Sequence, residues 1–230
     1  MTPATERKAL SEGLDKLREN MTTLAELAQL AIRKATDAVE NDGSGDATAV
    51  FTLDQEIFAL REETVKSCVD LIALHAPVAR DLRRITTSLE ITTDLDRIGR
   101  YSRDIVESAT RIHEAAKDAP PKLPKVHRMS ELTIQMVDTA IHAFVESDAE
   151  SVRNIIQADD AVDSLHDQVF LEVVDQMADR SMPPIVGAQF ILINRYLERI
   201  SDHAVNIGQH VTYMVTGRRP WRPLSQKREN

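Results

Sequence analysis

The sequence predicts an all-α fold of six long helices, arranged as two tandem three-helix bundles. The 230-residue chain has only seven glycines and 4% aromatic residues, whereas 42% of its residues are hydrophobic and 28% are charged. This amino-acid composition is typical of proteins made of long helices and not of β-sandwiches or β-barrels, which have many turns. Helix-breaking residues are few and clustered, so they indicate where the helices end. The two halves of the chain also share short motifs, which indicates an internal repeat.

Three helices are predicted in the first half of the chain. The first spans residues 6–40 and ends at the stretch Asn41-Asp42-Gly43-Ser44-Gly45. The second spans residues 46–75 and stops before Pro77, because a residue that precedes a proline leaves the α region. The third spans residues 77–116. We assign residues 6–116 to an N-terminal three-helix bundle.

Three further helices are predicted after a proline-rich stretch at residues 118–124, which favours a stiff, extended linker. They span residues 125–146, 149–179 and 183 or 184 to 216. Gly217 closes the last one. We assign residues 125–217 to a C-terminal three-helix bundle and residues 218–230, which contain Trp221, to a basic tail that we expect to be frayed.

The two halves share short motifs in the same order, at offsets of 102 to 106 residues. Any single match is weak, because long amphipathic helices resemble one another. Four matches in order predict a repeat. They are Val39-Glu40-x-Asp42 with Val145-Glu146-x-Asp148, Asp54 with Asp159, Pro77 with Pro183, and Leu95-Asp96-Arg97-Ile98 with Leu197-Glu198-Arg199-Ile200.

Charge and cysteine content bound the function. The formal net charge of −9 argues against a protein that grips nucleic-acid phosphates through a basic surface. The single cysteine, Cys68, excludes an intrachain disulfide and fits a reducing cytoplasm. No signal peptide is visible, and the apolar runs are far shorter than the ~20 residues of a membrane span. We therefore expect a soluble cytoplasmic protein without membrane insertion.

Two acidic pairs are candidate metal ligands. Glu198 and Asp202 lie four residues apart on the last helix, outside its apolar stripe, and Asp159 and Asp163 lie on the shoulder of the stripe of the preceding helix. Like charges at this spacing cost about 0.2–0.5 kcal/mol unless a cation compensates them. Two antiparallel helices could bring all four carboxylates together. Hard oxygen ligands favour magnesium, calcium, manganese or iron.

The spacing alone has an alternative interpretation, which is a solvated helix face. Acidic pairs four residues apart recur along the chain, for example Glu90 with Asp94. The two candidate pairs differ from these because both coincide with the repeat. His203, beside Asp202, is interpreted as an exposed group or as a neighbour of the ligands rather than as a ligand.

The segment Leu197-Glu198-Arg199-Ile200-Ser201-Asp202-His203-Ala204 resembles the repeated signature of the PhoU family of phosphate-uptake regulators, with Ser201 in a glycine place. The segments at residues 76–83 and 94–100 also resemble that family. The resemblance covers nearly the whole chain. It implies two three-helix bundles, each with two acidic motifs that hold a metal ion or cluster at the surface.

The resemblance assigns the metal-binding motifs of the second half to Asp159 with Asp163 and to Glu198 with Asp202. It leaves the metal open among iron, manganese, magnesium, calcium and zinc. The first half departs from the pattern, because Asp54 is followed four residues later by Phe58, and Asp96 by Arg100. A guanidinium beside Asp96 would repel a metal ion and could replace it as counter-ion. We therefore predict that the N-terminal site is empty or weak.

The function that the resemblance implies is a cytoplasmic adaptor that negatively regulates high-affinity phosphate uptake and phosphate-starvation signalling. The implied partners are a sensor histidine kinase and the ATPase subunit of a phosphate importer of the ABC type. A homodimer is also implied. Such a protein acts by binding and not as an enzyme.

Two alternatives remain open. A carboxylate-bridged di-iron oxidase of the ferritin type needs two Glu-x-x-His motifs, and only Asp163-x-x-His166 comes close. A helical adaptor without any metal is the second alternative. Other enzyme signals are missing, because the sequence has neither a Gly-rich phosphate loop ending in Gly-Lys-Ser/Thr nor a Gly-x-Ser-x-Gly elbow.

Overall fold

The described residues form six α-helices, as the sequence predicts. The computed structural model describes residues 3–40, 47–116 and 122–219, and within these ranges it contains no β-strand. The helices are α1 (Pro3–Glu40), α2 (Ala47–His75), α3 (Ala79–Ala115), α4 (Pro124–Glu146), α5 (Val152–Ala178) and α6 (Pro184–Thr216). The first three pack against one another and so do the last three, which confirms two tandem three-helix bundles.

Most helix ends lie where the breakers predict them. The helix α1 ends at Glu40 and α2 at His75, whereas α3 begins at Ala79 and not at Pro77, because Val78 is extended with φ −122° and ψ 158°. Gly217 follows α6 in the left-handed region, with φ 72°. The predicted breaker at residues 41–45, most of the 118–124 linker and Trp221 in the tail lie outside the described residues.

The helix α5 begins three residues later than predicted, at Val152 instead of residue 149. A carboxylate oxygen of Asp148 accepts the backbone N–H of Glu150 at 2.9 Å. This bond holds the chain in a turn after α4. The start of α5 is delayed for that reason.

The apolar stripes predicted for α5 and α6 are buried. They consist of Val152, Ile155, Val162, Val169 and Val173 on α5, and of Ile193, Leu197, Ile200, Ala204, Ile207 and Val211 on α6. Apolar side chains from both bundles form one continuous core. Apolar residues at helical spacing thus turn one face of each helix toward the core of its bundle.

The two bundles meet chiefly where α3 packs along α6, with a second contact between α1 and α4. The acidic motifs of the repeat lie on α2 and α3 in the first bundle and on α5 and α6 in the second. Each pair of motifs therefore lies on neighbouring helices of one bundle. Among the described residues, no helix has the length and apolar character needed to cross a membrane.

Candidate functional site

The helices α5 and α6 run antiparallel, and two contacts fix their register. The Nδ2 atom of Asn194 donates a hydrogen bond to the carbonyl oxygen of His166 at 2.9 Å. About four turns further along α6, Gly208 lies against Val152 and Ile155 of α5. Between these two contacts the helices lie side by side, so each residue of α6 faces a defined height along α5.

This register places Asp163 at the level of Glu198 and Asp159 at the level of Asp202. The four predicted ligands therefore occupy one stretch of the α5–α6 pair. Asp159 is fully buried, deeper than the shoulder position that the sequence predicts, and Asp163 and Asp202 are half-buried. The side chain of Glu198 is only 12% exposed and accepts a hydrogen bond from Arg195 Nη1 at 2.8 Å.

The donor chemistry of this stretch fits a hard cation, because the four candidate ligands are all carboxylates. The arrangement fits less well. Across residues 3–40, 47–116 and 122–219, no three His, Cys, Asp or Glu side chains are placed so that they could hold a metal ion together. Glu198 is engaged with Arg195. The metal site at Asp159, Asp163, Glu198 and Asp202 stays a prediction.

In the equivalent stretch of the first bundle, each of the two remaining acids forms an ion pair with an arginine. Arg100 Nη2 lies 3.1 Å from a carboxylate oxygen of the buried Asp96. Arg103 Nη1 lies 2.9 Å from a carboxylate oxygen of Asp54. Phe58, which replaces the second acid of the first motif, is 48% exposed. Arg100 thus takes the place of one additional carboxylate of the second bundle, Phe58 takes the place of the other, and both remaining acids are paired with arginines.

Sequence reasoning identified Arg100 but missed Arg103. The offset of 102 residues that relates Asp96 to Glu198 also relates Arg103 to Val205, so comparison of the two halves could have found it. Burial disfavours the charged form of Arg103, but Asp54 and the other nearby acids together outweigh burial and raise the pKa of Arg103 above its usual range. Arg103 is therefore a fixed cation.

A polar cluster between α3 and α6 was also missed, and we call it the Asp94 cluster: Glu90, Asp94, His203 and His210. His203 Nδ1 lies 2.7 Å from Asp94 Oδ1, and His210 Nε2 lies 3.3 Å from Asp94 Oδ2. The other ring nitrogen of His210 lies 3.0 Å from Glu90 Oε2. Two histidines of the second bundle thus bind two carboxylates of the first.

The Asp94 cluster is electrostatically coupled. Burial raises the pKa of Asp94, but the hydrogen bond with His203 and the electrostatic effects of His203 and His210 together outweigh burial and hold the pKa below its usual range. His203 is mostly covered, and its ring centroid lies 5.8 Å from that of Tyr101 on α3. The interpretation of His203 as an exposed group is therefore wrong. Its main contact is with α3.

The single cysteine offers no nucleophile. Cys68 is buried within α2, and burial raises the pKa of its thiol to about 12. The thiolate is the reactive form of cysteine, so a thiol with this pKa is inert near neutral pH.

Comparisons with known proteins agree with this architecture. A family model described as the PhoU domain matches residues 21–109 and again residues 126–211. The phosphate-specific transport system accessory protein PhoU homolog of Clostridium acetobutylicum is 28% identical over 218 residues, which cover 92% of this chain and 96% of the relative. PhoU homolog 2 of Mycobacterium tuberculosis is 29% identical over 216 residues, covering 93% of this chain and all of the relative.

Solved structures show the same fold. The crystal structure of PhoU from Pseudomonas aeruginosa superposes with a TM-score of 0.85 at 28% sequence identity, covering 90% of this chain and 99% of that one. The phosphate transport system regulatory protein PhoU from Streptococcus pneumoniae, at 23% identity, also gives a TM-score of 0.85 and covers 93% of this chain and all of that one, which shows the fold alone. Because the PhoU domain matches both halves of the sequence and the two-bundle architecture agrees, the chain belongs to the PhoU family.

Proposed function

We propose that this chain is an accessory regulator of phosphate transport that acts by binding other proteins and not by turnover. The observation that carries the proposal is the match of the PhoU domain to both halves of the chain. Relatives that are matched over nearly their whole length are named accessory proteins of a phosphate-specific transport system. In this role the protein acts in the cytoplasm, where it restrains high-affinity phosphate uptake and phosphate-starvation signalling.

The proposed partners are the ATPase subunit of a phosphate importer of the ABC type and a sensor histidine kinase, and the proposed assembly state is a homodimer. Long packed helices offer extended faces on which other proteins can dock. The outer face of α5 supports this role, because it exposes the large apolar side chains of Phe170, Leu171 and Val174. Exposed apolar patches are typical of interaction surfaces.

We further propose that the carboxylates of the α5–α6 pair bind a metal ion. Asp159, Asp163, Glu198 and Asp202 would supply hard oxygen donors for iron, manganese, magnesium, calcium or zinc. A bound cation would offset the repulsion between these acids and connect two neighbouring helices. The chemistry that it would supply is structural charge neutralisation of this surface.

Action by binding fits the chemistry of the described residues. Cys68 is inert, and His203 and His210 are engaged with carboxylates of α3. The di-iron oxidase alternative has a direct test, which is the optical spectrum of iron-loaded protein before and after exposure to oxygen. An unchanged spectrum rejects that alternative, and a new absorption band on exposure to oxygen supports it.

The proposed function is tested by binding of the full chain to the purified ATPase subunit of the phosphate importer from the same organism, measured by biolayer interferometry. The ATPase subunit of an unrelated importer is the control. We expect saturable binding to the first protein and none to the second. In cells, deletion of the gene should raise phosphate uptake in phosphate-rich medium. Unchanged uptake, together with absence of binding, would contradict the proposal.

A further inference from the structure

A cavity lined by three arginines lies where the start of α3 meets the ends of α4 and α6. It has a volume of about 300 Å³ and is lined by Arg80, Arg83, Arg84, Ser147, Met214 and Val215. None of these six residues is acidic, although the chain as a whole has a net charge of −9. The cavity is roughly ten times the ~30 Å³ that one water molecule occupies in the liquid, so a hydrated small ion fits.

One of the three arginines has a structural partner. Arg83 Nε donates a hydrogen bond to the carbonyl oxygen of Met214 at 3.2 Å, which caps the last turn of α6. For Arg80 and Arg84, no side-chain hydrogen bond or ion pair is found within the parts of the chain that the structure describes. Within the described residues, two guanidiniums at this cavity therefore keep their N–H donors available for a ligand.

The electrostatics around Arg84 show an excess of positive charge. Its side chain is half-buried, and burial, followed by repulsion from Arg18 and Arg80, lowers its pKa. Asp15 and Asp81 act in the opposite direction, but their effects are the smaller ones. A negatively charged ligand would relieve the repulsion between these guanidiniums.

The position of the cavity in the fold adds to this potential. The helix α3 begins at Ala79, so Arg80, Arg83 and Arg84 occupy its first two turns. The N-terminal end of a helix carries partial positive charge and favours anions. Across the cavity, Ser147 follows the end of α4, and its hydroxyl can donate a hydrogen bond.

We propose that this cavity binds a small oxyanion of the phosphate class. Planar guanidiniums match the geometry of such oxyanions, which they bind through paired N–H donors. The bound ion would connect the start of α3 in the first bundle with the ends of α4 and α6 in the second. The site is separate from the α5–α6 carboxylates and goes beyond the proposed regulatory function.

The test is calorimetric titration of the metal-free full chain with inorganic phosphate, at low ionic strength that is held constant with chloride. We expect one phosphate per chain and a melting temperature that rises with phosphate concentration. Arg80→Gln and Arg84→Gln should each weaken binding about tenfold or more, because each removes a charge-assisted hydrogen bond. Arg97→Gln is the matched control, because Arg97 is exposed on the same helix.

The outcomes are distinct. Methyl phosphate that binds as well as inorganic phosphate supports recognition of a phosphoryl group carried on a larger molecule, whereas weaker binding supports recognition of the free ion. Arg80 is exposed, so Arg80→Gln remains informative even if Arg84→Gln fails to fold. Absence of phosphate binding, or unchanged affinity in folded Arg80→Gln protein, would overturn the proposal. These two results concern phosphate binding only, so they leave the proposed binding of protein partners untouched.

Discussion

His203 on α6 and Asp94 on α3 join the two bundles through a contact of 2.7 Å between Nδ1 and Oδ1. Because the pKa of Asp94 is held below its usual range, its carboxylate is charged at neutral pH and the Nδ1 atom of His203 carries the proton. The result is a charge-assisted hydrogen bond between residues 109 positions apart. His210 adds a second contact to the same carboxylate.

Asp94→Asn should destabilise the protein by about 1.5–3 kcal/mol, because hydrogen bonds to a charged group contribute about that much. The amide also places an N–H group against one of the two histidines. The measurement is urea unfolding at neutral pH, followed by circular dichroism. Glu114→Gln is the control, since Glu114 is exposed on the same helix, and we expect it to change stability little. Equal stability of the two variants would contradict this role of Asp94.

The contribution of Asp94 should depend on pH with a defined sign. A carboxyl group whose pKa is lowered on folding contributes stability above its unfolded pKa, about 3.9 for aspartate, and loses it as the pH falls through the folded value. The difference in unfolding free energy between wild type and Asp94→Asn should therefore shrink below about pH 4. The measurement is urea unfolding of both proteins between pH 3 and pH 5. A difference that grows as the pH falls would contradict the prediction.

Arg195→Ala should strengthen metal binding at the α5–α6 site. Arg195 pairs with Glu198 at 2.8 Å, so its guanidinium competes with a cation for that carboxylate. We expect a gain of roughly two- to fivefold in affinity, which corresponds to about 0.5–1 kcal/mol for an ion pair whose arginine is solvent-exposed. Manganese titration of metal-free protein measures it. Arg199→Ala, at an exposed position on the same helix, is the control and should leave the affinity unchanged.

Arg100→Asp alone should not create a strong metal site in the first bundle. Phe58 still replaces the second acid of the other motif, and Arg103 still pairs with Asp54. The amount of metal bound per chain after dialysis should stay at the wild-type level. Phe58→Asp and Arg103→Val, added to Arg100→Asp, should raise it. A doubling of bound metal in Arg100→Asp alone would show that the interpretation of this bundle is wrong.

Much of the fold could be predicted from the sequence, because breakers and apolar stripes act locally. The ends of α1 at Glu40 and of α2 at His75 follow from adjacent turn and proline residues. The start of α5 was misplaced, since it depends on the side-chain bonds of Asp148 in the preceding turn. Local signals thus locate helices well and their first turns less well.

The Asp94 cluster and the burial of the candidate metal ligands were harder to predict, because their contacts join distant parts of the chain. Glu90 and Asp94 have the same spacing as many solvated acidic pairs, and only the packing of α3 on α6 brings His203 and His210 to them. The burial of Asp159 likewise depends on how α5 packs in its bundle. These contacts follow from the packing of neighbouring helices and leave no local pattern.

The most direct test of the metal-site proposal is elemental analysis of wild type and Asp202→Ala. Both proteins are purified in the same way and dialysed against the same buffer containing trace metals. Asp175→Ala is the matched control, because Asp175 is an exposed acid on α5. We predict bound metal in wild type and in Asp175→Ala, and clearly less metal per chain in Asp202→Ala. The same metal content in all three proteins, or no bound metal in wild type, would contradict the proposal and favour a helical adaptor without metal.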